Sequence, residues 1–208
     1  MSDLTPQIAG AADAEEHSRA DVYGLLARLW IAPPDREFLQ QLQAASAEPA
    51  APGGHLDEPW RVLITAMRAT SVEAAAQEYE ALFEGVGKPE LFLYGSYYLA
   101  GILNERPLVR LRDDLHELGL TRDPAISETE DHVAFLCEVM RYLIVGEDAA
   151  VCNLERQRRF YREHLQPWIE RLCDAVEAHP RAITWRAVAG LTRAFMHVEA
   201  QAFDMLEA

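Results

Sequence analysis

Basic residues are scarce in this chain. Nineteen lysines and arginines stand against 34 aspartates and glutamates in 208 residues, a formal charge of −15. That imbalance argues against nucleic acid and anionic lipid as partners, because phosphate recognition needs clustered Lys and Arg. An acidic field favours a basic partner, and it also keeps a protein in solution. Cysteines are few and odd in number: Cys137, Cys152 and Cys173. Each falls in an apolar helical pattern, which reads as reduced core thiols and not as a disulfide framework. Long apolar runs are missing, since none approaches the roughly 18 residues of a membrane span. Met1–Glu16 is acidic and has neither the basic nor the apolar region of a secretory leader. The expectation is a cytoplasmic protein with no stable membrane insertion.

Catalytic signatures are missing too, each through a specific residue. Gly87-Lys88 hints at a phosphate loop, but the earlier glycine position holds Leu82, and Pro89 replaces the magnesium-binding Ser or Thr. His116-Glu117 opens a zinc-protease motif whose second histidine would fall on Leu120. No CxxC pair is present, and His132 with Cys137 supplies too few ligands for a structural zinc. There is no GxSxG elbow and no dinucleotide fingerprint. These gaps point to no catalytic residues, no metal and no cofactor.

Half of the residues are hydrophobic, enough for a sizeable core. Nothing alternates with period two for long enough to build a sheet. Instead Val22, Leu25, Leu26 and Leu29 mark a helix over Glu15–Trp30, stopped by Pro33-Pro34. Asp35 and Ser71 can cap further helices, and Ala44–His55 reads as a loop. Leu91–Tyr98 is aromatic around Gly95 and reads as a loop running into a helix that ends near Asn104. Helices follow from Pro107 to Gly119, Ser127 to Val145, Asp148 to Leu165, Pro167 to Ala178, and from Ala182 onward. The expected class is all-α: a single-domain bundle of about nine to ten helices over residues 15–208, behind a disordered tail of residues 1–14.

Ser127–Val145 carries the most information. Ser127 and Glu130 stand in capping-box spacing, and Glu128, Glu130 and Asp131 place carboxylates at the positive end of the helix dipole. Val133, Leu136, Cys137, Met140, Leu143 and Ile144 form one apolar stripe, while Phe135, Val139 and Tyr142 form a second. A helix apolar on two sides is central to a bundle. Asp131 and His132 lie at its mouth, where they can orient the helix, meet a cationic ligand, or act together as an acid–base pair.

Four elements in order resemble one known family. Glu78-Tyr79-Glu80-Ala81-Leu82-Phe83 resembles the E-Y-x-x-L-F element of the TorD/DmsD/NarJ group, chaperones of molybdenum-containing reductases. Tyr94-Gly95-Ser96-Tyr97-Tyr98 resembles its aromatic-x-Ser-x-Tyr element. Glu130-Asp131-His132-Val133-Ala134 is similar to its P-E-D-H-L-A motif, and Phe160, His164-Leu165 and Pro167-Trp168 to its F-x-x-x-H-L-x-P-W stretch. The family's usual prolines are replaced by Thr129, which leaves the helix cap in place, and by Leu91 and Leu93, which puts the shape of the 89–96 loop in question. Tyr94–Leu103 with Asn104-Glu105-Arg106-Pro107-Leu108 looks most like members associated with exported formate dehydrogenases.

The resemblance implies an all-helical, non-enzymatic cytoplasmic chaperone. It implies binding of the twin-arginine leader or the apo form of a molybdenum-containing oxidoreductase, holding back export until its cofactor is inserted. It also implies a peptide groove lined by Leu82, Phe83, Tyr94, Ser96, Glu130, Asp131 and His132. The alternative is a nucleotide- or metal-binding helical enzyme using Asp131 and His132. The loop over 44–57 leaves both a monomer and a helix-swapped homodimer open.

Overall fold

The computed structural model describes residues 5–48, 53–85, 88–103, 105–123 and 126–205. Ten α-helices, and no strand longer than one bridge, are found among them. The first half holds α1 (Thr5–Ile31), α2 (Arg36–Ala44), α3 (Asp57–Ala69), α4 (Val72–Tyr79) and α5 (Gly95–Ala100). The second holds α6 (Arg106–Glu117), α7 (Val133–Val145), α8 (Leu154–Phe160), α9 (Ile169–Ala178) and α10 (Thr184–Met205). Single π-helical turns, Glu80–Glu84 and Tyr161–Leu165, prolong α4 and α8. The all-α reading is correct.

Local chemistry sets most boundaries where the spacing places them. Asp35 accepts from the Phe38 N–H at 2.8 Å and Ser71 from the Ala74 N–H at 3.2 Å, so both expected caps form. α6 ends in a left-handed Gly119 (φ 72°), with Leu120 N–H bonded to Leu115 O at 2.8 Å and Gly119 N–H to His116 O at 3.0 Å. That is the Schellman arrangement that glycine makes possible.

Other boundaries differ. α1 begins at Thr5, ten residues before the apolar periodicity does; residues 1–4 of the expected tail lie outside the described residues. α5 stops at Ala100 on a left-handed Gly101, and Asn104, the expected end, lies outside the described residues. α8 starts at Leu154, capped by Asn153, because Asp148 spends its carboxylate on the Ala150 N–H of a preceding turn. Cys152 therefore sits half-buried in a turn, whereas Cys137 and Cys173 are core thiols. Burial pushes the Cys173 thiol up to about 12, so it stays protonated.

α1 packs along α7, and α10 lies against α3, α4 and α9. Trp30, Trp168 and Trp185 are fully buried within this core. One ionic network crosses it. Arg19 forks onto Glu199 at 2.8 Å through both oxygens, and Tyr23 adds its hydroxyl at 3.0 Å. Glu199 is 1% exposed, so this bidentate, hydrogen-bonded geometry is what makes a buried charge tolerable.

Candidate docking site

The start of α7 departs from the sequence reading, and everything nearby follows from that. The expected capping box of Ser127 and Glu130 does not form, because the helix begins six residues later at Val133. His132 is its N-cap: Nδ1 accepts from the Ala134 N–H at 3.2 Å. The imidazole is buried and its pKa is pushed down from 6.5 to about 4, so it is neutral at physiological pH with its proton on Nε2.

Residues 129–133 instead pair with the 93–96 segment. Gly95 N–H donates to Asp131 O at 2.9 Å and Val133 N–H to Leu93 O at 2.9 Å, bracketing an antiparallel bridge between Tyr94 and His132. The Asp131 carboxylate accepts from the Ser96 N–H at 2.8 Å and from the Thr129 hydroxyl at 2.6 Å. It thus caps α5 from another part of the chain. Gly95 suits this close approach, because a Cβ would stand 3.0 Å from Trp168 Nε1 and the indole would have to shift.

Side chains alternate across such a bridge. Tyr94 and His132 project to one face, with rings 5.1 Å apart, and Phe135 continues the row at 5.6 Å from His132. Gly95 and Asp131 belong to the other face. Each face opens onto a depression.

On the first side lies a groove of about 370 Å³ between the end of α6, the following loop and α7. Leu120, Ile126, Phe135, Val139 and Tyr142 supply its apolar surface, and Glu130 and Glu138 stand on it. Its α7 side is the second apolar stripe. Phe135 and Val139 are only part-covered, and Tyr142 is 37% exposed. Glu130 forks onto Arg112 at 2.9 and 3.1 Å, which holds its carboxyl below the usual range despite partial burial. Burial raises the Tyr94 phenol's pKa, and Glu128 nearby adds to that rise and opposes the fall of the His132 imidazole's.

On the second side is a larger cleft of about 840 Å³, bounded by α5, α6 and the π-helical turn after α8. Leu111, Leu136 and Trp168 are its buried apolar residues, and Ser96 and Asp131 line it. Trp168 is fixed by donating to His164 O at 2.6 Å and by stacking on Tyr98. Arg106 and Arg110 stand exposed on the α6 side.

The seven expected groove residues are therefore distributed over three places. Glu130 belongs to the smaller groove, with Tyr94 and His132 leading up to it. Ser96 and Asp131 line the larger cleft, bonded to each other. Leu82 and Phe83 are core residues, Phe83 packing against Trp30, Tyr79 and Trp185. Their motif has a structural reason: the Glu78 carboxylate accepts from the N–H groups of Ile183, Thr184 and Trp185 at 2.8–3.0 Å and so caps α10. Tyr79 donates to the final carbonyls of α1.

The spacing also gives no sign of a cluster of Asp114, Glu163 and His164, whose ligand atoms lie within 4.8 Å of one another. Those groups are matched internally. Asp114 is 2.7 Å from His164 Nε2 and 2.7 Å from Arg159, which ties α6 to the turn after α8. No described helix is long and apolar enough to cross a membrane.

The family model described as nitrate reductase delta subunit matches residues 50–174. The chaperone protein TorD of Aliivibrio fischeri is 25% identical over 203 residues, which cover 89% of this chain and 94% of that one. The chaperone protein TorD of Vibrio cholerae serotype O1 is 25% identical over 138 residues, 63% of each chain. With the family model covering residues on both sides of the bridge, and a relative named a chaperone aligned over nearly the whole length, the chain belongs to the nitrate reductase delta subunit family.

Proposed function

We propose that this protein, a maturation chaperone of a molybdenum-containing oxidoreductase, works in the cytoplasm by binding the client's twin-arginine leader in the smaller groove. Such a chaperone holds back export until the cofactor is inserted and the apo-enzyme has folded. One observation carries the reading: α7 is apolar on two sides, and only one of them is buried. The stripe Phe135, Val139 and Tyr142 is left part-covered beside Leu120 and Ile126. An amphipathic peptide docks into such a groove through its apolar face.

The chemistry around the groove suits the rest of a leader. Glu128, Glu130 and Glu138 offer carboxylates for guanidinium groups, and the Tyr94 ring offers a cation–π face. The Glu138–Arg141 pair is half exposed, so an incoming arginine replaces Arg141 at little cost. In this reading Tyr94, Glu130 and His132 form the rim, Ser96 and Asp131 hold the bridged turn, and Leu82 and Phe83 support it from the core.

The test is calorimetric titration of the full chain with a synthetic twin-arginine leader. Ile126→Glu with Tyr142→Glu, both at exposed positions, should weaken binding at least tenfold while leaving the melting temperature within a few degrees. Unchanged affinity in that variant would place the leader elsewhere.

A further inference from the structure

We propose that the larger cleft is a second, independent docking site, and that its occupant is a partner-protein segment carrying carboxylates beside apolar side chains. The observation behind this is a pair of cations that form no ion pair with any described residue. Ten other arginines, among them Arg19, Arg61, Arg112, Arg122 and Arg141, form ion pairs with acidic side chains. Of the rest, Arg28 lies over the Phe38 ring, while Arg68, Arg171 and Arg186 donate to backbone carbonyls. Arg106 and Arg110 form no ion pair with any described residue, although acids outnumber bases 34 to 19. They stand one helical turn apart on α6, and both line the cleft.

That placement is unfavourable to the helix itself. Like charges at i and i+4 repel, and a cation in the first turn opposes the helix dipole. The first turn of α6 contains no acidic residue and the N-cap Glu105 makes no capping bond, so only Asp113 and Asp114, a turn beyond Arg110, offset part of this. An anionic partner reverses both penalties.

The interior of the cleft selects the kind of anion. Its buried surface is apolar, through Leu111, Leu136 and Trp168, and Leu99 lies 38% exposed at its edge. The acids of the lining, Asp131 and Glu163, repel any anion that settles among them, so the charged groups of an occupant belong on the α6 side, at Arg106 and Arg110, with its uncharged part over the rest of the cleft. The third arginine of the lining, Arg162, is already committed to Asp204 at 2.8 Å. A peptide satisfies the whole arrangement, with apolar side chains on the exposed Leu99, Ala100 and Pro167, above the buried Leu111, Leu136 and Trp168, and carboxylates about one helical turn apart on Arg106 and Arg110. The net charge of −15 does not forbid this, because exposed charges beyond about 8 Å are screened at physiological ionic strength.

This site does not depend on the leader groove, and the experiment separates the two. The probe is a fluorescein-labelled 12-residue peptide of about eight leucines and alanines with two glutamates four residues apart, and its mirror carries lysines in their place. By anisotropy, the full chain should bind the glutamate peptide at least tenfold more tightly than the lysine peptide. Arg106→Glu with Arg110→Glu should invert that preference, and Arg106→Gln with Arg110→Gln should abolish it. Neither double variant should change affinity for the twin-arginine leader by more than twofold. Because both positions are exposed, the melting temperature should stay within a few degrees in either double variant. Equal binding of the two peptides, or an unaltered preference in the double variants, overturns the proposal. So does complete displacement of the glutamate peptide by millimolar pyrophosphate, which would mark a small-anion site. Loss of a self-association equilibrium in the double variants would make a second copy the occupant and overturn it too.

Discussion

The two depressions flanking the start of α7 are built from adjacent residues, yet they present opposite chemistry. The smaller groove is apolar, with glutamates on its margin, three of whose arginine partners are drawn from within the chain. The larger cleft is also apolar inside, but its margin carries two arginines with no acidic partner among the described residues. The two are separated by a single antiparallel bridge in which Tyr94 and His132 face one way and Gly95 and Asp131 the other. The difference teaches that a net charge, however large, does not set the sign of a local surface. Pairing sets it: an acid matched by an arginine contributes little field, and an unmatched arginine contributes all of its own.

The strongest way to break the comparison is to remove the seam. Asp131→Ala leaves the buried Ser96 N–H and the Thr129 hydroxyl without their acceptor, and should destabilise the protein by about 4 kcal/mol. Asp131→Asn keeps an oxygen acceptor and should lose about half as much. In chemical denaturation the alanine variant should melt first. At temperatures where it remains folded, it should bind both the leader and the glutamate peptide more weakly. A loss confined to one peptide would mean that the bridge does not organise both surfaces.

A somewhat smaller effect comes from pH. The unfolded chain protonates His132 near 6.5, while the folded chain refuses the proton down to about 4. The unfolded state therefore binds more protons between those values, so stability is complete above pH 6.5 and declines as pH falls toward 4. The loss amounts to about 3 kcal/mol at most. His164 is also lowered, chiefly by burial, and contributes in the same direction. His132→Asn keeps an N-cap acceptor and should flatten the profile between pH 6.5 and 4 without removing all of the slope. A variant with an unchanged profile would show that His132 is not the group responsible.

How much of this was legible in the sequence follows physical range. Caps acting within three residues, at Asp35 and Ser71, were readable, as was the terminal Gly119, because donor and acceptor lie side by side in the chain. The two stripes of α7 were readable from periodicity, although period alone could not say which stripe the bundle would cover. The capping box failed because its local advantage was outweighed by partners far along the chain. Glu130 finds Arg112 eighteen residues away, and Asp131 finds Ser96 thirty-five away. Glu78 on α10 and Arg19 on Glu199 are longer pairings of the same kind. That Arg106 and Arg110 meet no acid among the described residues was equally invisible, since pairing is a property of the fold and not of spacing.

The finest distinction between the two surfaces comes from freeing one carboxylate. Arg112 is half exposed where it forks onto Glu130, so Arg112→Ala should reduce stability by only about 0.5–1 kcal/mol. Its effect on binding should run the other way. With Arg112 gone, Glu130 keeps only the longer approach of Arg122 at 3.9 Å, and an arginine of the leader no longer competes with an internal one. Leader affinity should rise about two- to fivefold, within the range of a single exposed ion pair, while glutamate-peptide affinity at the other cleft stays the same. Calorimetry with both peptides on the one variant reads the two surfaces at once. A variant that loses stability and leader affinity together would show that Arg112 shapes the groove, and that the carboxylate it holds is not part of the recognition.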